Sequence, residues 1–206
     1  MKIYDISWPI SPAITTYKNR NDVSVTDTKT WAEHMVRESQ LCMSMHTGTH
    51  VDAPSHFVQD GLSIDSVPLQ ALVGPCVVLD MTMCNEVITR SDLQGKDLSK
   101  PRVLLKTRNS FISPTEPFNF SFVYVDAGAA EYLAGKEVQC VGIDYLGIER
   151  NQPDHKTHTA LLSKQIPIIE GLRLESVEPG TYTLVCLPLS IEGVEAAPAR
   201  AVLIEE

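Results

Sequence analysis

The sequence predicts a mixed α/β domain with more strand than helix, the sheet being buried on both faces. Three observations lead there. Val77–Leu79, Val103–Leu105 and Ile166–Ile169 are uninterrupted apolar runs, which suit strands covered on both sides. Short helix signals fall between such runs, as in Asp126–Ala134, with an Asp to cap it and Gly135 to close it. No repeat, low-complexity tract or Gly/Ser-rich seam divides the 206 residues, so 1–206 reads as one domain.

The elements follow in order. Ile3–Ile6 is a short opening strand. Ile10–Asp22, rich in Pro, Thr, Asn and Lys, is a loop. Valines alternate with polar residues from Val23 to Thr30, which fits a strand. Leu41–Asp52 reads as one strand. Asp60-Gly61 is a turn, and Ser66–Leu72 a short helix started by Ser66, with Pro68 in its first turn. Val77–Met81 and Val103–Thr107 are buried strands, with a short helix at Thr89–Leu93. After helix Asp126–Ala134 come strand Val138–Ile143, helix Thr157–Lys164 and strand Ile166–Ile169, which ends at Glu170. Thr181–Pro188 and Ala201–Ile204 are the last strands.

Seventeen basic and 26 acidic side chains give a formal charge of −9. Phosphate-rich partners repel such a surface, so neither nucleic acid nor an anionic membrane is expected. The five cysteines form no CxxC pair and most have apolar neighbours, which reads as small buried side chains in a reducing compartment. The first residues lack the apolar run of a signal peptide, and no window reaches the roughly 18 apolar residues of a membrane span. A soluble, cytoplasmic protein is the expectation.

The chemistry concentrates in His46-Thr-Gly-Thr-His50-Val-Asp52-Ala-Pro-Ser-His56. A helix would also bring two His four apart onto one face. Gly48, the β-branched Thr47, Thr49 and Val51, and Pro54 argue against it. In an extended chain Cys42, Ser44, His46, Gly48, His50 and Asp52 share one face, while Leu41, Met43, Met45, Thr47, Thr49 and Val51 form a core-facing side. Gly48 keeps the space between the two imidazoles clear, and Pro54 turns the chain so that His56 returns over the site. Two imidazoles and a carboxylate are the ligand set of a catalytic zinc or manganese site with open positions.

The run HTGTHVDAPSHF, with Asp60-Gly61 and the later Leu69-x-x-Leu-Val-Gly, resembles the cyclase-family metal-dependent hydrolases. These include bacterial kynurenine formamidases and isatin hydrolases. The resemblance extends through Tyr4-Asp-Ile-Ser, Leu104-Leu-Lys-Thr, Val141-Gly-Ile-Asp, His158-Thr-Ala-Leu-Leu, Ile168-Ile-Glu-Gly-Leu and Ala197-Pro-Ala-Arg. It implies a swivelling β/β/α fold, a homodimer and one or two Zn²⁺ ions, with Mn²⁺ an alternative. Carried over by residue, it implies that His46, His50 and Asp52 bind a first ion. Asp52 and Glu170 would bridge to a second, which His158 also binds, and His56 would be the general acid/base.

The activity this implies is hydrolysis of a C–N bond in a formamide or cyclic amide of a small-molecule substrate, as in an arylformamidase. The ion would lower the pKa of a water, and His56 would carry its proton to the leaving group. The same site could serve a lactone hydrolase, a dehydratase or lyase, or a catalytically silent metal-binding protein. Two segments depart from the family pattern where substrate contacts are expected. Where formamidases carry a Trp-Pro-Gly-Asp type loop, this chain has Ile14–Asp22, with Tyr17 in the aromatic, substrate-binding place. Where relatives have Ala-Pro-Ser-x-Asp, it has Tyr145-Leu-Gly-Ile-Glu149.

Overall fold

The apolar runs have two buried faces because the sheet they form closes on itself and is wrapped by helices. The computed structural model describes residues 1–205. Its strands are β1 (Lys2–Asp5), β2 (Ser24–Lys29), β3 (Glu38–Cys42), β4 (His50–Asp52), β5 (Val73–Asp80), β6 (Val87–Ile88), β7 (Arg102–Lys106), β8 (Tyr124–Val125), β9 (Cys140–Ile143), β10 (Ile168–Glu170), β11 (Gly180–Pro188) and β12 (Ala196–Glu205). The α-helices are α1 (Trp31–His34), α2 (Leu69–Leu72), α3 (Arg90–Leu93), α4 (Ala127–Ala134) and α5 (Lys156–Leu162).

Seven strands close a barrel in the order β12-β11-β5-β7-β9-β10-β4 and back to β12. The long β12 makes closure possible. Its first residues pair with β4, and its last pair with β1 on the same edge. β5, β7, β9 and β10 run parallel, and the remaining barrel pairings are antiparallel. Side chains alternate across the wall. Cys76, Val78, Leu104, Cys140, Ile169, Leu184 and Leu203 fill the interior. Val77, Leu79, Val103, Leu105, Val141, Ile143 and Ile168 face outward and are covered by Ala129 and Leu133 of α4 and by Leu161 and Leu162 of α5. The expected strand-rich α/β class is therefore what the chain adopts.

Helix starts follow their caps. Asp126 accepts a hydrogen bond from the Ala129 N–H (2.7 Å) at the head of α4, and Thr89 with Asp92 forms a capping box on α3. The helix expected over Ser66–Leu72 is shorter. Ser66 closes a 3₁₀ turn, Ile64–Ser66, and α2 begins only at Leu69. Pro68 is the reason, since it holds Val67 before it in extended backbone.

The strand expected over Val23–Thr30 is present as β2. Among the described residues it pairs with β3 alone, in a hairpin that leaves Val25, Trp31, Met35 and Leu41 exposed. Cys42 on that hairpin is exposed as well, whereas Cys76, Cys140 and Cys186 are buried. One expectation is corrected: Leu41–Asp52 is not one strand. β3 ends at Cys42, the chain turns through residues 43–49, and β4 starts at His50. Met43 and Met45 are half-buried rather than core. The cause is Gly48, whose φ of +61° is left-handed and breaks the alternation. Its carbonyl packs against Gly171, where any Cβ would collide with it. Among the described residues no helix is long and apolar enough to cross a membrane.

Candidate metal centre

The site lies on the outer wall of the barrel, where β4 meets β10 under α5. In this antiparallel pair Glu170 stands opposite His50, and Ile168 opposite Asp52. Directly opposed residues share a face, and Val51 between them turns into the barrel interior. His50, Asp52 and Glu170 therefore project together. α5 lies over them and presents His158, while the turn before Gly48 presents His46. Pro54–His56 forms a 3₁₀ turn that carries His56 back over the group.

The structure brings together all six residues read as metal-binding or catalytic. Nε2 of His50 lies 3.5 Å from Asp52 Oδ1 and 3.4 Å from Glu170 Oε2. Nε2 of His158 lies 3.7 Å from Asp52 Oδ2 and 3.4 Å from Glu170 Oε1. His46 Nδ1 is 3.0 Å from Asp52 Oδ1. The His56 ring sits 4.4 Å from that of His46 and 5.8 Å from that of His158. Candidate ligand atoms cluster within 4.8 Å in His50, Asp52 and Glu170, and again in His46, Asp52 and His56.

This donor set fits a divalent ion. His50 and Asp52 are fully buried, Glu170 and His158 nearly so. Nε2 of His50 and both carboxylate oxygens of Asp52 are buried without an aligned hydrogen bond, despite their close neighbours. Buried polar atoms in folded proteins are almost always satisfied, so atoms left over at one point call for a partner. Nitrogen and carboxylate donors on one open face suit Zn²⁺ or Mn²⁺.

Electrostatics within the chain point the same way. Burial opposes the charged ring of His50, but Glu170 and Asp52 outweigh it and push its pKa up to about 9. Burial also disfavours ionised Glu170, and Asp52 adds to that, yet the imidazoles of His158 and His50 pull it down to about 2. Asp52 is held well below the usual carboxylate range by His158 and His46, against its own burial. His56 shifts down, mainly because it is buried, with His46 and His158 beside it adding repulsion. A neutral imidazole at neutral pH is thereby available as a base.

The centre opens into a cleft of about 200 Å³ lined by His46, His56, Phe57, Tyr17, Arg20 and Glu149, among others. Tyr17 stands at this opening, edge-on to Phe118 with ring centroids 5.2 Å apart. The Tyr145–Glu149 segment is placed differently from expectation. Tyr145 is fully buried against Phe122, and its hydroxyl accepts a hydrogen bond from the Asn119 N–H (2.6 Å). Ile148 is buried too, and its N–H donates to Glu170 Oε1 (2.6 Å). Only Leu146, Gly147 and Glu149 reach the cleft. The departure at Tyr145 is a packing feature, and it is Ile148 that supports Glu170 from behind.

A family model described as "Putative cyclase" matches residues 4–150. The chain belongs to this cyclase family. A kynurenine formamidase of Salinibacter ruber is 38% identical over 98% of the chain and 97% of its own length. A solved structure described as a potential metal-dependent hydrolase with cyclase activity is 44% identical, covers 98% of this chain and 96% of its own, and superposes with a TM-score of 0.88. An isatin hydrolase bound to a product analogue, thioisatinate, shares the fold at TM-score 0.85 and 20% identity, covering 100% of this chain and 93% of its own. Sequence reasoning gave no role to Glu149, His155 or Glu195, all of which border the cyclase centre. Glu195 Oε1 lies 3.2 Å from His46 Nε2.

Proposed function

We propose that this cyclase-family chain is a metal-dependent hydrolase of C–N bonds, acting on a formamide or a cyclic amide as an arylformamidase does. One observation carries the reading. Buried nitrogen and carboxylate donors without aligned partners converge beneath a neutral His56, at the floor of an open cleft. The kynurenine formamidase that the chain resembles along its length supports the same reaction class.

His46, His50 and Asp52 would hold a first ion, and Asp52, His158 and Glu170 a second. Zn²⁺ is the ion the reading favours, with Mn²⁺ the other. A divalent ion supplies Lewis acidity to a carbonyl and acidifies water. The chain's own residues do the rest. Tyr17 and Phe57 flank the cleft and hold the flat part of the substrate. His56 takes a proton from the attacking water and returns it to the leaving nitrogen. The exposed apolar side chains of the β2–β3 hairpin support a homodimer, which light scattering after size-exclusion chromatography would test.

Metal analysis followed by assays on N-formylkynurenine, isatin and simple lactones tests the activity. Amide hydrolysis that stops on chelation and returns with Zn²⁺ or Mn²⁺ is the expected result. Metal bound without turnover would favour a binding protein, and turnover confined to lactones would move the reaction to ester bonds.

A further inference from the structure

The imidazoles of His46, His50 and His158 each turn one nitrogen to the buried carboxylates and the other to an acceptor. For His50 that acceptor is the Gly48 carbonyl, 2.9 Å from Nδ1. A carbonyl only accepts, so His50 carries a hydrogen on Nδ1, and Nε2 is the nitrogen that a metal would take. For His158, Nε2 faces Asp52 and Glu170, and Nδ1 lies 3.0 Å from Glu149 Oε2. Nδ1 is buried, and Glu149 is the acceptor nearest it, in close contact but off the line of an aligned hydrogen bond.

Glu149 is built into place. It is 8% exposed. Its Oε2 also accepts from the His158 backbone N–H (3.3 Å), and its Oε1 is bonded by Nδ1 of His155. His155 stands at the head of α5 with a left-handed φ of 49°. Non-glycine residues keep that conformation only where their surroundings hold it. The Glu149 contact and the hydrogen bond from the Thr159 N–H to the His155 carbonyl (2.9 Å) are two such holds. Phe57, stacked on the His158 ring at 4.4 Å, closes the other side.

We propose that Glu149 is a positioning residue for the metal centre: it fixes His158 as an Nε2 donor, and His155 holds Glu149 in that role. The inference rests on the metal-dependent reading above. A carboxylate that accepts the far N–H of a ligating imidazole sets its tautomer and raises its basicity, and losing it typically weakens metal binding about 10–100-fold.

The test is a Zn²⁺ titration of the full chain against a competing chelator, with His158→Ala marking the binding step that depends on His158. Glu149→Leu should weaken that step about 10–100-fold. Glu149→Gln, whose amide oxygen still accepts from Nδ1, should weaken it less. Binding that does not depend on His158 should stay at the wild-type level. In ¹⁵N-histidine spectra of the Zn²⁺-loaded chain, His158 should bind through Nε2 with its hydrogen on Nδ1 in the wild type, and through a mixture of Nε2 and Nδ1 in Glu149→Leu. An unchanged His158-dependent step would overturn the proposal, as would an equal loss in every step, which marks a merely structural role. Loss of an additional ion would overturn it too, because Glu149, His155 and His158 would then be a cation site of their own. A wild-type chain that takes up no metal would sink the hydrolase reading itself.

Discussion

The two halves of the metal centre are assembled differently. His46, His50 and Asp52 lie within one short stretch and meet through local geometry, namely the left-handed turn at Gly48 and the extended β4. His158, Glu170 and Glu149 come from α5, β10 and the segment after β9. They meet only because the barrel closes β4 against β10 and α5 lies across both. The first half leans on a backbone carbonyl and on the half-exposed Glu195, while the second is buried throughout. Metal binding by the first half depends on one turn of chain, and by the second on the whole fold. A chain that gains its second ion therefore reports that its barrel is closed.

Asp52 belongs to both halves, since it touches His46, His50 and His158. Its removal should have the largest effect of any single change. Asp52→Ala is expected to lose bound metal to background level, and hydrolysis with it, as read by elemental analysis and assay. A variant that keeps its full metal content would break the assignment of Asp52 as the shared ligand.

His56 should be the next most sensitive residue, in activity alone. Removing a general acid/base costs about 10²–10⁴-fold in rate. His56→Ala should fall in that range with metal near the wild-type amount. The clustering of His46, Asp52 and His56 sets up the contrary outcome: if metal falls in step with activity, His56 is a fourth ligand of the local half.

The local half was legible as chemistry but not as a path. The spacing of His46, His50 and Asp52 displays their donor set whatever the backbone does. The strand drawn through them was wrong because the φ of Gly48 depends on its contact with Gly171, far along the chain. The continuous apolar runs were legible because a closed barrel buries both faces of a strand. Glu149 was not legible, because the irregular residues 150–154 separate it from His155 and His158; His155, at the head of α5 three residues before His158, shows its role only through its contact with Glu149. Within the Tyr145–Glu149 segment the sequence does not separate Tyr145, which packs inward, from Leu146, Gly147 and Glu149, which reach the cleft, since only the fold brings Asn119 to the Tyr145 hydroxyl.

Protons couple the two halves. In the metal-free chain His50 holds its proton up to about pH 9 because it faces Glu170, itself at about 2. A metal must displace that proton. His158, held against its own burial well above its ordinary value by Asp52, Glu149 and Glu170, must release a proton too. Affinity should therefore rise at least tenfold per pH unit between neutral pH and about 9. A flat profile between pH 7 and 9 would mean that neither imidazole gives up a proton to the metal and the halves are not coupled in this way. The sign for stability is the reverse. The folded pKa of His50 lies above its ordinary 6.5, so its contribution is complete below that value and lost as pH rises through about 9. Glu170 is depressed from its ordinary 4.5, so it contributes above that value and is lost as pH falls through about 2. For these two groups the metal-free chain is most stable between about 4.5 and 6.5, which thermal melts across that range would show.

The smallest effect should come from Glu195. It faces His46 Nε2 at 3.2 Å much as Glu149 faces His158, but its side chain is 42% exposed where that of Glu149 is 7% exposed. Water screens an exposed pair and can replace its hydrogen bond, so such pairs contribute little. Glu195→Ala should therefore weaken metal binding only a few-fold, well short of the roughly 10–100-fold loss at a buried orienting carboxylate. Equal losses at the two positions, measured by the same chelator competition, would mean that the orienting contact itself matters and its burial does not.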